Sequence, residues 1–222
     1  MNPTENPTIK TTTGKHQGRN PTVLMFGAPG SGKGTQGMSL GSIPRFFHMA
    51  CGEVFRQLDT RTPLGREFVS YSSKGLLVPD EITVRLWKAA LDSRIDAHQF
   101  KPDIDILVLD GIPRNVAQAE LMEKHIEVIK VFHLSCPDRA ALTERLRKRA
   151  LKDNRLDDAS DEVIARRIRT YEDESKPVLD YYGPERVVEI DATNPPVVVL
   201  HTILGEILRL PTWLAFSKSP VE

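Results

Sequence analysis

Short apolar runs alternate with longer amphipathic stretches along this chain. Val23-Leu24-Met25-Phe26 stops at Gly27, Phe46-Phe47-His48-Met49 forms a second run, and Ile106-Leu107-Val108-Leu109 forms a third that ends at Asp110. Runs at about 128–134 and 186–190 follow. Runs this short, bounded by glycine or polar residues, read as buried strands. Between them the pattern is helical. A first helix starts at about Lys33 but carries Gly37 and Gly41 ahead of Pro44. Each glycine costs about 1 kcal/mol against alanine, so this helix is expected to be short or weak. Thr62 and Pro63 open another helix that should stop at Gly75, with Thr62 as its cap. Asp80 is placed to cap a helix whose Ile82, Leu86, Trp87, Ala90 and Leu91 share one face. Asn115 caps a further helix, with Gln118 placed to bond back to its N–H. Two arginine-rich helices then flank a polar segment, and a last helix spans about 197–210. Trp213, Leu214 and Phe216 in the tail are expected to dock on the core. Strands alternating with helices imply an α/β architecture, a parallel sheet of five strands with helices on both faces.

Composition narrows the class. The chain has 222 residues, of which 40% are hydrophobic and 27% charged, which suits one soluble core with small inserts. Residues 1–20 are polar and read as a disordered extension, which leaves 21–222 as the core. Lys plus Arg equals Asp plus Glu at 30 each, so the totals carry no basic signature of nucleic-acid binding. No run approaches the roughly 20 apolar residues of a membrane span, and no secretory h-region opens the chain. Cys51 and Cys136 stand far apart, which disfavours a disulfide framework or a zinc site. A cytoplasmic location is the expectation.

The chemistry concentrates where strands end. After Phe26 comes Gly27-Ala28-Pro29-Gly30-Ser31-Gly32-Lys33-Gly34-Thr35-Gln36. Glycines let backbone N–H groups approach an anion, a helix N-terminus adds a partial positive charge, and Lys33 adds a full one. That is the chemistry of a polyphosphate cradle, a P-loop with Gly34 where the strict pattern has a hydroxyl residue. Asp110, at a strand end and before Gly111, is placed to hold Mg²⁺ directly or through water. Arg145 and Arg149 share a helix face, whereas Arg147, Arg166 and Arg169 read as surface coat. Arg56 and Arg114 fall in loops after strands, and Arg155 falls in the polar segment ahead of Arg167. Arginine forks match phosphate oxygens, and a transfer between two nucleotides needs several of them. A glutamine amide such as that of Gln118 carries the donor and the acceptor that adenine's edge requires.

These motifs together resemble the adenylate kinase family, the short-lid type of nucleoside monophosphate kinase. The resemblance is carried by Gly27 to Gln36, Cys51-Gly52-Glu53 through Arg56, and Gly75 through Asp80-Glu81. It continues through Leu109 to Gln118, Arg145 to Arg149, Arg155-Leu156-Asp157-Asp158, Arg167 and Tyr171. It implies a three-layer P-loop NTPase fold with an NMP-binding insert at about 49–79 and a lid at about 150–160. It also implies reversible phosphoryl transfer from ATP to AMP, Mg²⁺ as cofactor, no zinc, and a monomer. By position, ATP would be held by Gly30, Ser31, Gly32, Lys33, Gly34 and Thr35, with Arg145, Asn194 and Pro195 near its base. AMP would meet Cys51, Arg56, Val78, Gly111, Arg114 and Gln118. Arg149, Arg155 and Arg167 would converge on the transferring group, with Arg155 and Arg167 also reaching AMP. Lys33 and Arg114 would join them in catalysis. Glu53 would assist Asp110 at the metal, and Asp157 and Asp158 would latch the lid. Cys51 and Asn115 also resemble UMP/CMP kinases, so a pyrimidine acceptor stands as the alternative. A nucleotide-binding protein without transfer activity is the alternative from another class.

Overall fold

The computed structural model of the chain describes residues 18–72, 78–153 and 160–216. Five strands, β1 (Asn20–Phe26), β2 (Phe46–Ala50), β3 (Ile106–Asp110), β4 (Ile126–Ser135) and β5 (Val187–Asp191), form one sheet in the order β2-β3-β1-β4-β5. Every pairing is parallel. Helices cover both faces, so the central strands are apolar on both sides. Val23, Met25, Ile106, Val108 and Phe132 face one core, and Leu24, Phe26, Leu107, Leu109 and Val131 face the other. This is the period of two that the pleat dictates.

Ten α-helices are present among the described residues: α1 (Lys33–Gly41), α2 (Cys51–Arg56), α3 (Pro63–Ser72), α4 (Asp80–Asp96), α5 (Val116–Met122), α6 (Arg139–Asp153), α7 (Asp161–Thr170), α8 (Pro177–Tyr182), α9 (Pro196–Ile207) and α10 (Pro211–Phe216). A π-helical turn, Tyr171–Ser175, joins α7 to α8. None of the described helices is long and apolar enough to cross a membrane.

Several boundaries depart from the sequence pattern. β1 begins at Asn20, three residues before its apolar run, and β4 at Ile126, two before its own, and the two paired starts are pinned by Asn20 Nδ2 donating to the His125 carbonyl at 3.0 Å. The helix expected over about 197–210 is one helix that ends three residues earlier, at Ile207, and a second helix opened by Pro211 follows in the tail. In α10, Trp213 stacks on Phe46 of the edge strand β2 at 5.0 Å, and Phe216 packs on the same core, while Leu214 stays exposed. Arg56 is not in a loop, because α2 follows β2 directly and ends on it. Thr62 does cap α3, its Oγ1 accepting from Gly65 N–H at 3.0 Å. Asp80 does not cap α4. It is the first residue of that helix, Pro79 holds the cap position, and the carboxylate turns toward α5.

β1 lies between β3 and β4, so successive crossovers leave it in opposite directions. A crevice opens at the carboxyl ends of the strands at such a point. In register there stand Met25 opposite Asp110 and Ala50 opposite Asp110.

Candidate active site

The loop from Gly27 to Gly32 leaves β1 and enters α1 at this crevice. Gly32 is the residue before the helix, at φ 99°, and it makes no side-chain cap. A β-carbon is disfavoured in that conformation. The first-turn amides of α1 therefore keep N–H groups without an intrahelical partner, which is what an anion binds. Lys33 folds back over the loop and donates from Nζ to the carbonyls of Gly27 at 2.8 Å and Ala28 at 3.0 Å. An ammonium has three N–H bonds, so one remains for a ligand. The side chain keeps some accessible surface, but the ammonium itself is enclosed. Burial pushes its pKa down from 10.5 to about 8, with Arg149, Arg114 and Arg167 adding to the shift and Asp110 opposing it. Ser31 Oγ is buried in the same loop without a hydrogen-bond partner.

Asp110 faces this loop from the end of β3. A β-carbon built on Gly34 would stand 3.5 Å from its Oδ2, an ordinary contact. Behind α1, His48 of β2 packs against the helix. A β-carbon on Gly41 would lie 2.6 Å from His48 Cβ, and one on Gly37 would meet the imidazole ring closer still. The two glycines that weaken α1 by propensity are thus the positions where the imidazole comes against it. Burial lowers the pKa of His48, with Asp110 and Glu53 opposing.

The cavity in front of the loop has a volume of about 1260 Å³. That exceeds the roughly 300–1,000 Å³ of a single small-molecule pocket. Gly30 through Thr35, Glu53, Arg56, Asp110, Gly111 and Arg114 line it from the sheet side. Arg145, Arg149 and Arg167 line it from α6 and α7, and Asn194 from the loop after β5. Arg145 Nη1 donates to the Ala192 carbonyl at 3.0 Å, and Arg114 Nε donates to the Gly111 carbonyl at 3.1 Å. Both guanidinium groups are therefore positioned before any ligand arrives.

Four residues named from the sequence do not line the cavity. Cys51 is 1% exposed at the end of β2, where burial pushes its thiol up to about 12. Val78 and Pro195 are also outside the lining, and Pro196 takes part instead. Gln118 is buried, and its amide is engaged by protein groups. Gln118 N–H donates to Asn115 Oδ1 at 2.8 Å, which is half of the expected capping box. The other half is absent, because Gln118 Oε1 accepts from Arg114 N–H at 2.8 Å. Arg155, Asp157 and Asp158, with most of the lid segment, lie outside the described residues, as do residues 73–77 of the other insert.

The structure also brings in residues that the sequence reading left out. Lys148, Lys152 and Arg166 line the cavity, so Arg166 is no mere surface coat. A signal existed for the lysines: with Arg145 and Arg149 they make a stripe at i, i+3, i+4 and i+7 on α6. Arg147, off that stripe, pairs with Asp161 on the surface. Tyr171, one of the residues that carry the resemblance but given no role there, lines the cavity as well, with its hydroxyl 2.9 Å from His133 Nε2.

A family model described as adenylate kinase matches residues 25–187. An adenylate kinase of Cyanothece sp. is 38% identical over 180 residues, which span 78% of this chain and 88% of that protein. An adenylate kinase of Chlamydia muridarum is 33% identical over 216 residues, spanning 82% of this chain and 85% of that protein. One from Thermoanaerobacter sp. is 32% identical over 206 residues, with 78% and 91% covered.

Proposed function

The chain belongs to the adenylate kinase family, and from that premise we propose how its residues divide the work of moving a phosphoryl group between ATP and AMP. The observation that carries the assignment is one cavity lined by Lys33, Arg114, Arg149 and Arg167 with Asp110 among them. It is large enough for two nucleotides to meet head to head.

The loop amides and Lys33 bind the β- and γ-phosphates of ATP. Arg145 and Asn194 border its base, with Pro195 beside them just outside the lining. Arg56 and Arg114 clamp the AMP phosphate, while Gly111 lines the acceptor end and Gln118, Val78 and Cys51 stand behind that lining, toward the acceptor base. An oxygen of the AMP phosphate attacks the γ-phosphorus in line, the bond to the β,γ-bridging oxygen breaks, and two ADP molecules result. No general base is required, since the attacking oxygen is ionised near neutral pH. The barrier falls through positioning and through charge stabilisation by Lys33, Arg149, Arg155 and Arg167.

Magnesium fits this donor set. Asp110 and Glu53 are two carboxylates beside the phosphate loop, and no three His, Cys, Asp or Glu side chains cluster as a metal cage among the described residues. A hard cation that keeps waters and shares phosphate oxygens needs no more than one or two carboxylates. When bound, Mg²⁺ neutralises charge on the donor phosphates. Residues about 49–79 close over AMP, and residues about 150–160, latched by Asp157 and Asp158, close over ATP. Closure removes water, the competing nucleophile. The reading extends to a monomer working in the cytoplasm.

A coupled assay of ADP formed from ATP and AMP tests the assignment. Lys33→Met and Arg114→Ala should each lower kcat/KM by about 10³-fold, with thermal unfolding little changed. Near-native transfer in either variant would overturn the roles given to them.

A further inference from the structure

Three side chains form a directed hydrogen-bond circuit beside the acceptor half of the cavity. Gln118 Nε2 donates to Asp80 Oδ1 at 2.7 Å, and Gln118 Oε1 accepts from Arg114 N–H at 2.8 Å. Asn115 Nδ2 donates to both Asp80 oxygens, at 3.2 and 3.1 Å, while its Oδ1 accepts from Gln118 N–H at 2.8 Å. The directions are not a choice of assignment. A backbone N–H can only donate, and an ionised carboxylate can only accept. Each amide therefore has one orientation that satisfies its partners. Turning the Gln118 amide over would set Nε2 against the Arg114 N–H and Oε1 against the Asp80 carboxylate.

We propose that Asp80 and Asn115 are positioning residues that set base selection by holding the Gln118 amide in this one sense. The inference deepens the acceptor assignment above and rests on Gln118 reading the base. An amide held this way has one lone pair and one N–H left, in fixed order. That order suits a base edge with an exocyclic amino group beside an unprotonated ring nitrogen, as in AMP. A keto group beside a ring N–H, as in IMP, presents donor and acceptor reversed. A glutamine free to turn over would accept either edge. With the amide fixed, the wrong base leaves two buried polar groups facing their own kind, the situation in which hydrogen-bonding sites discriminate most strongly. Asn115 contributes by steering Asp80: with its own Oδ1 occupied by Gln118 N–H, its Nδ2 can only face the carboxylate.

The test is the ratio of kcat/KM for AMP to that for IMP, with ATP as donor. IMP has the same ring size and phosphate, so the ratio isolates the reversed edge. Because it is taken within one preparation, the fraction of folded enzyme cancels. Wild-type protein should favour AMP by about 10³-fold or more. In Asp80→Ala no acceptor faces Gln118 Nε2, so only the Arg114 arm remains. The ratio should fall at least about tenfold. Asn115→Ala reads the other arm and should also lower the ratio. If Gln118→Leu lowers the ratio while Asp80→Ala and Asn115→Ala stay within about twofold of wild type, base reading stands and the positioning role is overturned. If Gln118→Leu itself keeps the wild-type ratio, the reading of the base by Gln118 fails, and the positioning role fails with it.

Discussion

Lys33 shows how much of the site's behaviour follows from one buried charge. Enclosure behind the phosphate loop, beside three arginines, brings its pKa down to about 8. A bound polyphosphate would restore the charged form. Below about pH 8 the free site already holds the proton. As pH rises from there toward the ordinary lysine value, the free site loses its charge, and ATP must bring a proton with it. ATP affinity should therefore be level from about pH 6.5 to 7.5 and then weaken, by up to about tenfold per pH unit above 8. Calorimetric titration at pH 9 in two buffers of different ionisation enthalpy should report close to one proton taken up per ATP, and close to none at pH 7. Lys33→Arg should remove both effects, since a guanidinium stays charged throughout. Wild-type affinity that is flat to pH 9.5 would show that the ammonium is not desolvated as described. Asp80 makes the complementary point about sequence. At the start of α4 it has the chemistry of a helix cap, yet it binds Asn115 and Gln118, more than 30 residues away. Local sequence describes what a carboxylate can do, and tertiary placement decides which option is used.

At the scale of elements, α1 and β2 must be considered as a pair. An alanine at a helical glycine normally gains up to about 1 kcal/mol. At Gly41 the added carbon would meet His48 Cβ at 2.6 Å and the His48 backbone nitrogen at 3.2 Å, so the neighbour cannot simply swing aside. Gly41→Ala should therefore destabilise the fold, by about 1–3 kcal/mol in urea unfolding. A stabilised variant would mean that β2 shifts away from α1 at little cost. The five strands were legible in the sequence because parallel strands buried on both faces read as short continuous apolar runs, and the order of strands and helices then points to the parallel sheet. The family was legible because its motifs are separated yet ordered. Strand starts were not legible at Asn20, where a polar residue and a proline hide a strand anchored by a side-chain bond to His125. The end of the last expected helix before Pro211 was legible, but the short helix that Pro211 opens was not, because its apolar residues read only as a tail docking on the core. Within the candidate site, the glycine loop and Asp110 stand out because turn chemistry and a strand end mark them. Arg166 does not, because a cation on a helix looks the same whether it faces a cavity or solvent, and Lys148 and Lys152 show only through the stripe they share with Arg145 and Arg149.

For the whole molecule, charge is balanced in total and divided in space. Lysines and arginines equal aspartates and glutamates over the 222 residues. The described part of the cavity lining nevertheless holds nine lysine and arginine side chains against Glu53 and Asp110. The remainder of the chain must then carry the opposite excess. A concave, low-dielectric site lined by one sign of charge concentrates its field, and anionic nucleotides are drawn to it. The attraction acts over distances that salt screens, since the Debye length falls from about 30 Å at 0.01 M to about 8 Å at 0.15 M. Lys148, Lys152 and Arg166 can feel a nucleotide before contact, so they should raise capture more than turnover. kcat/KM for ATP should thus fall with rising ionic strength, while kcat changes little. Replacing Lys148 and Lys152 together by glutamine should flatten the slope of log kcat/KM against the square root of ionic strength and leave kcat within about threefold of wild type. An unchanged slope in that double variant would mean that the two lysines line the cavity without steering its ligands. A large loss of kcat would instead place them in contact with the transferring group.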